Sequence, residues 1–147
     1  MKNIGIVGSR RRDSKEDMEE CRKIFLSIYE EGDTIVSGGC KLGADRFAEI
    51  FIKEYKTPRI IHYPDKSKLD KVKLAQSPRW AYAEINFARN TLIAQDSDVL
   101  IACVAEDRKG GTEDTAKKAI AMGKKIILVP IPPKQSIDDY DPLKEEL

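Results

Sequence analysis

The chain has 147 residues, 41% hydrophobic and 35% charged, which is enough apolar material for one core and too little length for two ordinary domains. Its 26 Lys and Arg offset 25 Asp and Glu, a net charge of +1, which argues against a sequence-blind nucleic-acid coat, because such binding rests on many uncompensated phosphate contacts; a local basic patch stays allowed. Cys21, Cys40 and Cys103 are odd in number, far apart and without Cys-x-x-Cys or Cys/His spacing, so a disulfide framework and a zinc site are both disfavoured and a reducing, cytoplasmic setting is expected. The apolar run at 99–105 is far below the roughly 20 residues of a membrane span, and the few apolar residues before Gly8 are too few for a secretory signal. A soluble chain without a membrane partner is therefore expected.

Ile4-Gly5-Ile6-Val7 is a short β-branched run closed by Gly8-Ser9, as in a strand buried on both faces of a parallel sheet. From 14 to about 31, Met18, Cys21, Phe25, Ile28 and Tyr29 recur at helical spacing, with Ser14 and Asp17 placed as a capping box and Gly32 as the stop. A second strand is expected at 34–37, a turn at Gly38-Gly39, a helix at 44–55 and a third strand at 59–63, closed by Pro64. Residues 65–79 carry Lys66, Lys68, Lys71, Lys73 and Arg79 with no clear period, and read as a long basic loop holding at most one helical turn. A helix at 80–95, a fourth strand at 99–104, a loop at 105–111, a helix at 112–122 ended by Gly123, and a fifth strand at 125–130 follow. The domain thus runs over 1–131, and 132–147 reads as an acidic, poorly patterned tail.

Strands alternating with helices predict an α/β, Rossmann-like, doubly wound parallel sheet with helices on both faces. With the first crossovers running one way and the later ones the other, the strand order is 3-2-1-4-5. Ligands in such sheets sit beyond the carboxyl ends of the strands, at the reversal between strands one and four. Three glycine-bearing loops fall on that edge: Gly8, Ser9 and Arg10 with Arg11 and Arg12; Gly38 and Gly39 with Gly43, Ala44 and Asp45; and Gly110, Gly111 and Thr112 after Arg108-Lys109. Glycine lets backbone N–H groups approach an anion, and a following helix N-terminus adds partial positive charge, so phosphate is the anion such loops suit. Thr112 is placed to cap its helix and to offer a hydroxyl to a phosphate oxygen.

Neither Gly-x-Gly-x-x-Gly nor Gly-x-x-x-x-Gly-Lys-Ser/Thr occurs, which leaves an ordinary NAD fingerprint and a P-loop unsupported. Of the three consecutive arginines, at least one is expected to belong to a solvated charge run, and Arg10 is the expected phosphate contact. On spacing alone Arg89 and Asn90 are ordinary exposed helix positions. Trp80 reads as packing rather than base stacking, and His62 as a structural side chain rather than a general base.

Ile6-Val7-Gly8-Ser9-Arg10 resembles the opening of the Rossmann-like domain of the DNA-processing protein A (Smf) family, and Val36-Ser37-Gly38-Gly39 with Gly43-Ala44-Asp45 its glycine loop. Phe87-Ala88-Arg89-Asn90 before Asp98-Val99-Leu100-Ile101 resembles that family's Arg-Asn motif, and Gly111-Thr112 with Thr115-Ala116 its small-residue helix start. The likeness covers about 1–130 and extends to small stand-alone members of the SLOG superfamily. It implies binding of a nucleotide, a nucleotide derivative or single-stranded DNA, with Arg89 neutralising charge, Asn90 holding a loop or reading a ligand polar group, and a homo-oligomer; no other cofactor is implied. The related lysine-decarboxylase-like phosphoribohydrolases carry Pro-Gly-Gly-x-Gly-Thr-x-x-Glu, whose glutamate serves N-glycosidic cleavage of a nucleoside monophosphate. That position is Thr115 here, and the neighbouring Glu113 and Asp114 are turned from it by about 200° and 100° on a helix. Glu113, Asp114 and Asp45 are the carboxylates left for such a hydrolase. The alternatives of binding module, phosphoribohydrolase and single-strand DNA accessory protein, the last using a basic groove from 10–12 and 66–79, stay open.

Overall fold

A computed structural model describes residues 1–40 and 42–132; the tail expected beyond them lies outside the described residues. Five short aliphatic runs form β1 (Asn3–Gly8), β2 (Thr34–Ser37), β3 (Arg59–Ile61), β4 (Val99–Cys103) and β5 (Lys125–Leu128), all parallel in the order β3-β2-β1-β4-β5. Side chains alternate between the two faces of a strand, and the two cores follow that alternation. Ile4, Ile6, Ile35, Val99, Ile101 and Cys103 face one way, against Cys21 and Phe25 of α1 (Lys15–Ile28) and Phe47, Ala48 and Phe51 of α2 (Arg46–Tyr55). Val7, Val36, Leu100 and Ala102 face the other way, against Ile93 and Ala94 of α4 (Pro78–Asp96) and Ala116 and Ala119 of α5 (Gly111–Ala121). The Rossmann-like architecture and the strand order are those expected from the alternation of strands and helices.

The capping box at Ser14 is present: its hydroxyl accepts from the Asp17 N–H at 3.0 Å, and the Asp17 carboxylate accepts from the Ser14 N–H at 3.4 Å. α1 stops at Ile28, three residues short of expectation, because Asp33 ties the following turn by accepting from the Glu30 N–H and from the Lys2 N–H and ammonium.

The segment at 65–79 corrects the sequence reading. It holds a 3₁₀ turn at Lys66–Lys68, a six-residue helix α3 (Lys71–Gln76), and the start of α4 at Pro78. Asp70 accepts from the Val72 and Lys73 N–H groups at 2.9 and 3.1 Å, and Lys73 pairs with Glu84 on α4 at 3.0 Å. Caps and a charge pair build this segment, so it has no hydrophobic period to read. Trp80, expected to pack, is 69% exposed; the N-terminal half of α4 buries Ala81 and Ile85 instead. His62 pairs through Nε2 with Asp96, as a structural side chain would.

Candidate functional site

The β1/β4 switch point opens into a cavity of about 390 Å³, lined by all three glycine loops and by one face of α4. That volume lies within the range of small-molecule pockets. Of the residues expected there, Gly8, Ser9, Arg10, Gly38, Asp45, Arg89, Asn90, Gly110, Gly111 and Thr112 line it, whereas Gly39 and Gly43 do not.

The loop after β1 is packed rather than open. A Cβ on Gly8 would lie 2.2 Å from the Ala44 Cβ, so only glycine lets β1 meet the 3₁₀ turn at Gly43–Asp45 that precedes α2. The Ala44 N–H donates to the Ser9 carbonyl at 3.0 Å, and the Gly8 N–H donates to Asp45 Oδ1 at 2.9 Å. The Ser9 N–H goes to the Cys103 carbonyl, and the Arg11 and Arg12 N–H groups return to Ser9. Gly8 and Ser9 therefore hold the loop's shape with their amides, and what the loop offers the cavity is the Arg10 side chain and the Ser9 hydroxyl.

The three arginines divide sharply. Arg12, 5% exposed, donates to Asp17 Oδ1 at 2.9 and 2.8 Å and to the carbonyls of Val104, Val129 and Pro130, joining α1 to the ends of β4 and β5. Arg11 forms a bidentate pair with Asp107 at 2.7 and 2.6 Å and reaches the Lys109 carbonyl, so it fixes the loop that precedes α5. This pairing holds the Asp107 carboxyl down at about 2. Arg10 is exposed and makes no side-chain hydrogen bond or ion pair among the described residues.

Arg89 and Asn90 are not the ordinary exposed positions that spacing alone implies. Arg89 Nη1 donates to the Gly38 carbonyl at 2.8 Å and its Nε to Asn90 Oδ1 at 3.1 Å; the buried Asn90 donates from Nδ2 to the Gly111 carbonyl and to Asp114. The pair bridges the second glycine loop to the third. Ala83, Asn86 and Phe87 also line the cavity, and the signal for them is helical: 83, 86, 87 and 90 share one face of α4.

Thr112 does not cap α5. The helix begins at Gly111 behind a Gly110 cap that has no side-chain hydrogen bond, and no described residue accepts from the N–H groups of Gly111, Thr112 or Glu113. The loop before it is held by Arg11 and by Arg108, whose guanidinium grips the Glu113 carboxylate at 2.6 and 2.8 Å. An uncapped helix N-terminus beside Arg10 and Arg89 is complementary to an anion.

Among the carboxylates left for hydrolysis, Glu113 is held by Arg108, whose hydrogen bonds lower its pKa, and Asp114 pairs with Lys118 at 2.8 Å. Asp45 lines the cavity, and burial raises its pKa against the smaller opposing effects of the Gly8 N–H, Arg89 and Arg10. The buried Thr115 donates its hydroxyl to the Gly111 carbonyl at 3.1 Å. No group of three His, Cys, Asp or Glu residues that could hold a metal occurs among the described residues. No residue of 66–79 borders the cavity, and Arg12 is committed inside the fold, so the expected basic groove lacks one of its arginines.

A family model of the SLOG cluster4 family matches residues 1–145. The chain belongs to this family. No curated protein matches it in sequence. Its fold is similar to DNA processing protein A from Streptococcus pneumoniae, with 21% identity and a TM-score of 0.68 over 95% of this chain and 52% of that one. It is similar also to DNA processing protein A from Helicobacter pylori, solved for its single-stranded DNA binding mode, at 22% identity and a TM-score of 0.64 over 98% of this chain and 70% of that one. The molybdenum cofactor carrier protein of Chlamydomonas reinhardtii gives 20% identity and a TM-score of 0.59 over 87% and 76%. The SLOG chain thus spans about half the length of the pneumococcal protein. No helix among the described residues is long and apolar enough to cross a membrane.

Proposed function

We propose that this SLOG protein binds a nucleotide-type ligand at the β1/β4 switch point, with a phosphate on the N-terminus of α5. The observation that carries this is the pair of N–H donors at Gly111 and Thr112, which have no acceptor among the described residues and sit on the wall of the same cavity as Arg89 and the Arg10 guanidinium, itself without a side-chain partner among them. The Arg11–Asp107 and Arg108–Glu113 pairs hold the loop in place before the ligand arrives, which lowers the ordering cost of binding. The Thr112 hydroxyl supplies one further donor, and Phe87 and Ile93 supply apolar wall.

A ligand at 100 times its Kd raises stability by about 2.7 kcal/mol, so nucleotides, pyrophosphate and inorganic phosphate are to be screened by thermal unfolding. At least one of them is expected to raise the midpoint by several degrees. Arg10→Ala is expected to weaken that ligand about tenfold or more, since a hydrogen bond to a charged group is worth about 1.5–3 kcal/mol. No shift with any phosphate compound, or equal affinity in Arg10→Ala, would count against the reading. A single strand of DNA is the second reading, favoured by the fold shared with the Helicobacter pylori protein. It predicts an affinity that falls steeply with salt, whereas a mononucleotide in a cavity loses little.

A further inference from the structure

Phosphate binding does not account for the carboxylate that lines the cavity. Among the described residues, Asp45 is the only carboxylate on the cavity wall. An anion beside a phosphate opposes binding, so Asp45 must meet a different part of the ligand. Its position agrees with this, because it comes from the β2 side of the switch point while the α5 N-terminus comes from the β4 side.

One oxygen, Oδ1, is occupied by the Gly8 N–H at 2.9 Å, and no described residue donates to Oδ2. Oδ2 is also not sealed in the interior: the only buried side-chain polar atom without a partner among the described residues is the Thr57 hydroxyl. A metal cation is a poor occupant, since Arg10 and Arg89 share the cavity and no cluster of ligating groups surrounds Asp45. A lone carboxylate oxygen in such surroundings calls for a neutral donor. In α/β nucleotide-binding sheets, a carboxylate is the group that takes a ribose hydroxyl.

We propose that Asp45 Oδ2 accepts a hydrogen bond from a ring hydroxyl of the ligand's sugar, so that the cavity takes a ribonucleotide and discriminates against sugars that lack free hydroxyls. The inference rests on the phosphate reading of the same cavity. It adds a hydroxyl requirement that inorganic phosphate does not meet and that the linked sugars of a DNA strand, without a 2′-hydroxyl and with the 3′-oxygen esterified, do not meet either.

The test compares Kd values, by calorimetry on the full chain, for the four ribonucleoside 5′-monophosphates, their 2′,3′-dideoxy counterparts and inorganic phosphate. The hydroxyl-bearing compounds are expected to bind about tenfold tighter or more than the dideoxy ones. Asp45→Asn keeps a carbonyl for the Gly8 N–H and places a donor where the free acceptor stood, so it is expected to weaken this preference severalfold, while inorganic phosphate, relieved of the opposing charge, binds no less tightly than to wild type. Equal binding of hydroxyl-bearing and dideoxy nucleotides by the wild-type chain, or a preference that follows the base instead of the sugar, overturns the assignment while the phosphate reading stands. Retention of the full preference by Asp45→Asn does the same. If neither phosphate nor any nucleotide binds, both readings fall.

Discussion

Arg10 and Arg12 are chemically identical and two positions apart, yet their surroundings give them unrelated tasks. Arg12 is enclosed with Asp17, their side chains 6% and 9% exposed, and its remaining donors meet three carbonyls at the ends of β4 and β5. Removing one partner of a buried pair leaves the other charge unpaired, which costs about 3–5 kcal/mol. Arg12→Ala is therefore expected to lower the urea unfolding free energy by that amount, and Arg12→Lys to recover little, because an ammonium cannot span a carboxylate and three carbonyls. Arg10→Ala should leave the unfolding free energy within about 0.5 kcal/mol of wild type, as for other surface changes, while it affects ligand binding. Arg10 stands out in the sequence as the expected phosphate contact, but nothing there separates Arg11 from Arg12. Their division into tether, loop clamp and cavity cation depends on what β4, β5 and the loop before α5 bring alongside.

Elements show the same dependence on neighbours. The capping box of α1 and the strand alternation are local patterns, visible in the residues that form them. The glycine loops are only half local. Gly43 has φ +65°, and a Cβ there would stand 2.2 Å from the Arg10 Cα, so its requirement for glycine comes partly from a segment 33 residues away. Gly43→Ala is expected to cost about 1–3 kcal/mol through overpacking against backbone, read as a lower urea midpoint. It should also weaken phosphate binding, because the segment that must yield carries Arg10. α3 escapes sequence reading for the opposite reason: its six residues bury nothing, so no apolar period marks it.

At the scale of the molecule, the cavity creates an electrostatic cost that unfolding relieves. Burial raises the Asp45 pKa above its ordinary 3.8, so the folded chain holds that proton more tightly than the unfolded one. The contribution of Asp45 to stability therefore declines as pH rises from about 3.8 through the folded value, and the penalty is complete above it. Glu113 acts in reverse: Arg108 lowers its pKa below 4.5, and the stability it adds above 4.5 is lost as pH falls through the lower folded value. Asp45→Asn is accordingly expected to be more stable than wild type at pH 7, with the advantage closing as pH falls through the raised folded value toward about 3.8. Urea titrations of both chains across that range check the sign; a variant less stable at pH 7 would show that the carboxylate stabilises the fold.

The sequence by itself determined the parallel sheet and the edge at which the glycine loops gather, because alternation and spacing are properties of consecutive residues; the order 3-2-1-4-5 followed only with the added condition that the chain crosses to the other side of strand one after strand three, which the structure meets. It also brought Arg89 and Asn90 forward, through the likeness of Phe87-Ala88-Arg89-Asn90 to a known motif. Only the tertiary structure decided which N–H groups stay free. Those of Gly8 and Ser9 are taken by Asp45 and Cys103, whereas those at the start of α5 have no acceptor among the described residues. A backbone donor is met either by the chain itself or by what lies outside it, and which of the two holds at each loop depends on residues far apart in sequence.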